Sequence, residues 1–357
     1  MKNYDHEEEF HARDRKQFRK ERKFAQKMDR SKFKKTDLPE KKNAAELSHL
    51  PRGRVIAISG EGAWVHFEEN TFLCSLKGLM KKETARVKNI LAVGDWVRFT
   101  EDFSIEQIEP RTSTLARTDI SGRKEQLIAV NVDQVIITVS VVSPPLKPAL
   151  VDRYLIAAEK GNIHPIIVIN KIDLLETASE EEKNRYRDFL ATYERLGWPI
   201  LSLSTHTKVG LESLRLLLQN KTSVFSGQSG VGKSSLLNAC FDMQQKVGKL
   251  AIKTSKGAHT TSKAELLALP LGGYCVDTPG IRSFGIWGLT KADVIAHFHD
   301  LAAYKKGCRY PNCAHIDEPN CAVIRALEKG KIAPLRYESY TSLLAEIESG
   351  VHTKTWS

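Results

Sequence analysis

The chain has 357 residues, 41% of them hydrophobic, which is enough for about two or three ordinary domain cores. No apolar run reaches the roughly 18 residues that cross a bilayer, and the polar N-terminal stretch lacks the apolar segment of a signal peptide, so a cytoplasmic protein without stable membrane association is expected. The net charge of +11, from 54 basic and 43 acidic residues, favours an anionic partner without identifying it.

Residues 1–50 read as a basic extension rather than part of a core. Between Arg13 and Lys35 there are 12 Lys/Arg against the acids Asp14, Glu21 and Asp29. Phe10, Phe18, Phe24 and Phe33 are too sparse to bury a helix. Such a segment suits phosphate neutralisation on a nucleic acid, or a plain solvated charge run.

From Arg52 to Glu109 the hydrophobic period becomes that of strands. Short strands are predicted over 54–58, 63–67, 72–76, 96–100 and 105–108, with turns at Gly60-Glu61-Gly62 and Gly94-Asp95. Five short strands in so little chain suit a small closed β-barrel, of OB or SH3-like type. Arg52, Arg54, Lys77, Lys81, Lys82, Arg86 and Lys88 are candidates to line a nucleic-acid face. Trp64, Phe67, Phe72 and Trp96 suit either base stacking or, more simply, core packing.

Residues 111–124 read as a polar connection. Beyond it, strands at 132–139, 163–169 and 199–202 alternate with helices at 150–160, 181–196 and 210–218, which implies a mostly parallel sheet covered by helices on both faces. Asn170-Lys171-Ile172-Asp173 directly follows the most apolar strand. A carboxylate there can accept hydrogen bonds from guanine N1 and N2, donors that adenine lacks. Asn170 would fix the base loop and the Lys171 stem would cover the base. Ser204-Thr205 is a softer candidate for the other side of the base.

Gly227-Gln228-Ser229-Gly230-Val231-Gly232-Lys233-Ser234 fits G-x-x-x-x-G-K-[ST], with a strand predicted at 222–226 and a helix beginning at Ser235. Backbone N–H groups of such a loop surround a β-phosphate, its lysine reaches the β/γ-phosphates, and the Ser234 hydroxyl faces Mg²⁺. Downstream, Thr260 and Thr261 are candidates to meet Mg²⁺ and the γ-phosphate, with Thr261 preferred. A strand at 272–276 then leads into Asp277-Thr278-Pro279-Gly280. Asp277 would hold Mg²⁺, and the Gly280 N–H would meet the γ-phosphate.

Cys308-x4-Cys313-x-His315-x5-Cys321 supplies three thiolates and an imidazole, a complete tetrahedral set for structural Zn²⁺ with no open position. Helices are predicted around it at 291–304, 323–328 and 337–348. Lys305, Lys306, Arg309 and Arg325 would give this region a basic, RNA-facing surface.

These motifs look like the standard elements of a translation-factor-class GTPase, but the base-recognition motifs precede the phosphate loop. That order, the N-terminal barrel and the Cys/His cluster resemble the small-ribosomal-subunit-dependent GTPase A family over about residues 52–340. The resemblance implies a multidomain fold: a basic extension (1–50), an OB-type RNA-binding barrel (51–110), a circularly permuted P-loop α/β GTPase domain (111–285) and an α-helical zinc-binding domain (286–357). It implies a monomeric GTP hydrolase that binds GTP or GDP with Mg²⁺, acts on the small ribosomal subunit and its rRNA, and is slow until that subunit stimulates it. Lys256–Thr261 resembles the family's G-x-H-T-T switch segment, and His259 is a candidate water-positioning residue or a solvated or rRNA-contacting one. Ile281 stands where many GTPases carry a water-orienting glutamine. Gly230 replaces the asparagine of potassium-stimulated enzymes, so no potassium site is expected. A GTP-controlled binder of another structured RNA is the alternative. An elongation-type GTPase is disfavoured by the motif order.

Overall fold

The structure is a computed structural model that describes residues 47–76, 90–118, 125–241, 264–277 and 290–349. The chain divides into a short N-terminal unit, Met1–His49, and a unit spanning Leu50–Ser357 that holds every element below.

Strands β1 (Arg52–Ile58), β2 (Ala63–Phe67), β3 (Asn70–Leu76), β4 (Trp96–Phe99) and β5 (Ser104–Ile108) close into a barrel. β1 pairs antiparallel with both β2 and β4, β4 pairs with β5, and β3 pairs parallel with β5. This five-stranded Greek-key closure is the OB type rather than the SH3-like one. Strand alternation sends Val55, Val65, Cys74, Val97, Phe99 and Ile105 inward as its core. Phe67 and Phe72 pack beside Phe99, so these aromatics serve the core.

The stretch read as a connection contains a hairpin of β6 (Thr114–Thr118) and β7 (Glu125–Val130). Then follow β8 (Gln134–Ser140), β9 (His164–Asn170), β10 (Ile200–Ser202), β11 (Thr222–Ser226) and β13 (Tyr274–Asp277), parallel neighbours in the order β10-β9-β8-β11-β13. Helices α1 (Pro148–Lys160) and α2 (Glu180–Arg195) share a core with Ile137, Val139, Ile167 and Ile169. Helices α3 (Leu211–Leu218) and α4 (Lys233–Phe241) share another with Ile136, Ile166 and Val168. Alternate residues of the central strands therefore feed opposite cores, which is why these strands read as continuous apolar runs.

The antiparallel strand β12 (Glu265–Ala268) pairs with β13 and, at Ala57↔Glu265, with β1. Barrel and α/β sheet thus form one continuous 11-stranded sheet. Polar contacts seal the junction. Arg111 forks onto the fully buried Asp95, Nε to Oδ1 at 2.7 Å and Nη2 to Oδ2 at 2.8 Å. Asn131 donates to the Gly94 carbonyl and accepts from the Thr112 N–H, and its own carbonyl accepts from Arg54 Nη2 at 2.9 Å. Arg54, a sequence candidate for a nucleic-acid face, is buried at 6% exposure and belongs to this junction instead. Lys77, Lys81, Lys82, Arg86 and Lys88 lie outside the described residues.

The C-terminal helices are α5 (Lys291–His297), α6 (His299–Ala302), α7 (Ala322–Glu328) and α8 (Pro334–Glu348). The helix expected over 291–304 breaks at Phe298, where φ −85° and ψ 73° turn the ring into the core. Ile156 of α1 shares that core with Phe298, Leu301, Val323, Tyr340 and Leu343, so one helix serves two cores.

A buried ionic knot fastens the same contact. The Arg336 guanidinium donates to Asp152 on α1 and, through Nη2, to Asp300 at 3.0 Å, and it lies 4.0 Å over the Phe298 ring. Tyr193 of α2 donates to Asp152 at 2.8 Å. Burial opposes the Arg336 charge, but Asp152, Asp300 and Tyr193 outweigh it and push its pKa up. Replacing Arg336 with Ala would strand the buried Asp152. The expected loss is about 3–5 kcal/mol in denaturant unfolding, because the remaining carboxylate is buried and loses its charge partner.

Candidate nucleotide site and metal centre

β11 delivers the chain into the glycine loop, and α4 starts at Lys233. The loop conformation requires glycine where others would clash. Gly232 has φ +95°, and a Cβ there would meet Asn170 Nδ2 at 2.5 Å. At Gly227, φ is +140° and a Cβ would meet the Thr138 carbonyl at 2.0 Å. Lys233 Nζ donates to the carbonyls of Gly227 (2.8 Å) and Gln228 (2.7 Å), so the ammonium folds back across the loop. Ser234 and Ser235 are exposed at the first turn of α4. Exposed hydroxyls and N–H groups at a helix start, with a cation alongside, form an anion cradle.

The base-recognition segment is tied to this loop by hydrogen bonds. Asn170, fully buried at the end of β9, donates from Nδ2 to the Val231 carbonyl at 2.9 Å, while its Oδ1 accepts from the Lys171 N–H at 2.8 Å. Lys171 is left-handed (φ 63°), and its Nζ reaches the Ser143 and Gly230 carbonyls, each at 2.6 Å. Its side chain therefore braces the loop as well as lying beside it. A short 3₁₀ turn, Ile172–Glu176, presents Asp173. Ser204, buried just after β10, donates its hydroxyl to Asp173 Oδ1 and accepts the N–H groups of His206 and Thr207. The two sequence candidates for the base pocket are thus in contact. Thr205 is adjacent and half-buried.

Asp277 ends β13, two strands from the barrel and next to β11; its backbone alone is described. His259, Thr260, Thr261, Gly280 and Ile281 lie outside the described residues. Sequence reading missed Tyr154 of α1, whose hydroxyl shares a hydrogen bond with the Gly227 backbone and whose pKa burial pushes up to about 12. It belongs to no motif. Its only sequence signal is an aromatic position on the sheet-facing side of α1.

Cys308, Cys313, His315 and Cys321 converge, with ligand atoms all within 4.8 Å of one another. Tetrahedral zinc requires S···S edges of about 3.8 Å and S···N edges of about 3.6 Å, given Zn–S near 2.3 Å and Zn–N near 2.0 Å. Three of the six edges are 3.9 Å for Cys308–Cys321, 3.4 Å for Cys308–His315 and 3.3 Å for His315–Cys321, and those to Cys313 lie within 4.8 Å, so the donor set fits the ion. Burial raises the Cys308 thiol, but the Ala322 and Val323 N–H groups outweigh it and lower its pKa, which favours the thiolate. The loop between the ligands is held by side chains. His315 is left-handed (φ 63°), and Glu318 accepts the Ala314 and Ile316 N–H groups. Tyr337 and Tyr340 of α8 donate to the carbonyls of His315 (2.8 Å) and Ala314 (2.9 Å). All four protein ligands leave no position for substrate, so the centre is structural.

Comparison with known proteins gives the family. The family described as RsgA GTPase matches residues 108–287. The small ribosomal subunit biogenesis GTPase RsgA 1 of Vibrio vulnificus (strain YJ016) is 36% identical over 322 residues, covering 88% of each chain. The crystal structure of YjeQ from Thermotoga maritima superposes with a TM-score of 0.66 at 32% identity, covering 84% of this chain and 98% of that one. That of YloQ, described as a circularly permuted GTPase, gives 0.64 at 27% identity, covering 87% and 99%.

The metal centre is testable by chelation. Structural zinc contributes about 10–16 kcal/mol of apparent binding free energy in small zinc domains at neutral pH. Metal analysis should find equimolar zinc. Its removal, or Cys321→Ser, should unfold the α7–α8 region while leaving barrel and sheet folded, as read by residue-resolved hydrogen exchange.

Proposed function

The chain belongs to the RsgA GTPase family, and on that premise we propose that it hydrolyses GTP to GDP and phosphate in assembly of the small ribosomal subunit, engaging that subunit's rRNA. The observation that carries the nucleotide reading is the hydrogen-bonded unit of Asp173, Ser204, Asn170 and the glycine loop. It brings a carboxylate suited to guanine and a phosphate cradle together at the ends of β9 and β11, which flank β8.

In this reading Asp173 accepts from guanine N1 and N2, held in place by the Ser204 hydroxyl. Asn170 and Lys171 fix the base loop against the phosphate loop, so that base and phosphates are gripped by one rigid piece. Residues 227–235 wrap the phosphates, with Lys233 moving from its two carbonyls onto the β/γ-phosphate oxygens. Ser234, Thr261 and Asp277 would hold Mg²⁺, which would supply positive charge to offset that developing on the phosphates as water attacks the γ-phosphorus and GDP leaves. The Gly280 N–H and Thr260 read the γ-phosphate. Ile281 has no polar atom with which to place water, so intrinsic hydrolysis is slow and the small subunit accelerates it, with His259 as the candidate water-positioning group. Loss of the γ-phosphate then relaxes the switch segments and permits release. The barrel and the basic face near Lys305, Lys306, Arg309 and Arg325 meet RNA. Among the described residues no helix is long and apolar enough to cross a membrane.

Turnover measured with purified small subunits, large subunits and unrelated structured RNA tests the partner. Preferential stimulation by small subunits is expected. Equal stimulation by the unrelated RNA would instead favour a GTP-controlled binder of another RNA. Asp173→Asn should weaken GTP binding by about 1–3 kcal/mol while ATP, which gains nothing from the carboxylate, binds no worse. Equal competition by adenine and guanine nucleotides in the native protein would remove the role given to Asp173.

A further inference from the structure

The barrel meets the α/β sheet in two places: at Val93, which bridges to Ala129 and accepts from the Val130 N–H at 2.9 Å, and at β1, which meets the β12–β13 hairpin through very little backbone. Among the described residues β1 and β12 share the single register pair Ala57↔Glu265. Glu265 is in turn paired with Asp277, so barrel, β12 and the end of β13 lie in line across the sheet. One ladder pair acts as a pivot and does not by itself fix the angle between the barrel and the β12–β13 hairpin. A side-chain contact supplies the second anchor. The Tyr274 hydroxyl, on β13, is hydrogen-bonded to His66 Nδ1, on β2, at 2.8 Å, with the rings edge-on at 6.1 Å. The buried Arg54 guanidinium sits between Tyr274 (4.9 Å) and Trp96 (5.2 Å) and is anchored on the Asn131 carbonyl. Tyr274 stands three residues before Asp277, and β12 starts four residues after Thr261. A displacement of β1 and β2 therefore reaches the proposed magnesium ligand through this hairpin.

We propose that His66 and Tyr274 are positioning residues that couple the seating of RNA on the barrel to the rate of GTP hydrolysis. The inference rests on the ribosome-stimulated reading above and extends it by naming the route. With the bond made, pivot and anchor form a rigid lever, and a barrel reoriented on RNA moves β13. Without it, β2 shifts on RNA without carrying Tyr274 along, and Asp277 stays where it was.

The test is a double-mutant cycle of Tyr274→Phe and His66→Ala in the full chain. GTP affinity, basal turnover, small-subunit affinity and small-subunit-stimulated turnover are measured for each. Tyr274→Phe keeps the ring and its stacking with Arg54 and deletes only the hydroxyl. The expected result is stimulated turnover lowered about fivefold, the equivalent of one neutral hydrogen bond of about 1 kcal/mol, with the other three quantities unchanged. The double variant should lose no more than either single one, since both remove the same contact. A merely structural contact would lower subunit affinity or basal turnover together with the stimulated rate, and that outcome overturns the proposal. So does undiminished stimulation in Tyr274→Phe, or additive losses. A native protein that small subunits do not stimulate would overturn the underlying functional reading itself, a result visible before any variant is compared.

Discussion

The hydrogen bond from the Asn170 amide to the Val231 carbonyl holds the nucleotide site together. It is buried, so losing it would leave unpaired polar groups with no water to replace them. It also joins parts of the chain 61 residues apart, which explains how the motif order can be permuted without loss of the site. The site needs β9 and β11 to flank β8 in a parallel sheet, so that their carboxyl ends open at one edge. It does not need them in a particular chain order. The sheet order β10-β9-β8-β11-β13-β12 meets that requirement, with Lys171 adding braces to Ser143 and Gly230.

Helix α1 carries the next layer of constraint. Val151, Leu155 and Ala158 pack on the sheet, Tyr154 bonds the Gly227 backbone, Ile156 enters the zinc-domain core and Asp152 receives Arg336. Glu159 at its far end bonds His297 and His299. A buried ion pair contributes little net stability against an apolar contact of the same volume, because desolvating two charges offsets most of their attraction. Its effect is to specify. The Arg336 fork fits the two carboxylates in one geometry, which fixes the register of α8 on α1 and hence the place of the metal loop that Tyr337 and Tyr340 support.

The chemistry was legible in the sequence because it depends on residue types at fixed spacing. The glycine loop, Asn170–Asp173 with Ser204, and the Cys/His set were all found in contact as their spacing implied. What was illegible depends on contacts between distant segments. Among the described side chains of the β6–β7 hairpin only Leu115, Ala129 and Val130 are buried, and Thr114–Thr118 is too polar to distinguish from a connection. β12 has only four residues and owes its existence to partners on both sides. Phe298 interrupts an otherwise helical pattern where its ring packs under Arg336 in the C-terminal core, and no local signal announces that. Arg54 reads as a surface cation until the aromatic rings and carbonyl around it are seen.

The two RNA-facing modules are attached to the sheet by different physical means. The zinc domain is locked by a buried core and an ion pair onto α1, which also bonds Gly227, so it shares a rigid body with the phosphate loop. The barrel is joined to the sheet at Val93 and Asn131, and to the hairpin ending at Asp277 by a single ladder pair and the His66–Tyr274 bond. Packed cores resist small displacements and transmit them whole, whereas a thin polar hinge tolerates rotation. A particle that grips both modules therefore holds the phosphate loop fixed and works on β12 and β13. That asymmetry suits an enzyme whose nucleotide must stay bound while the groups around its γ-phosphate are rearranged.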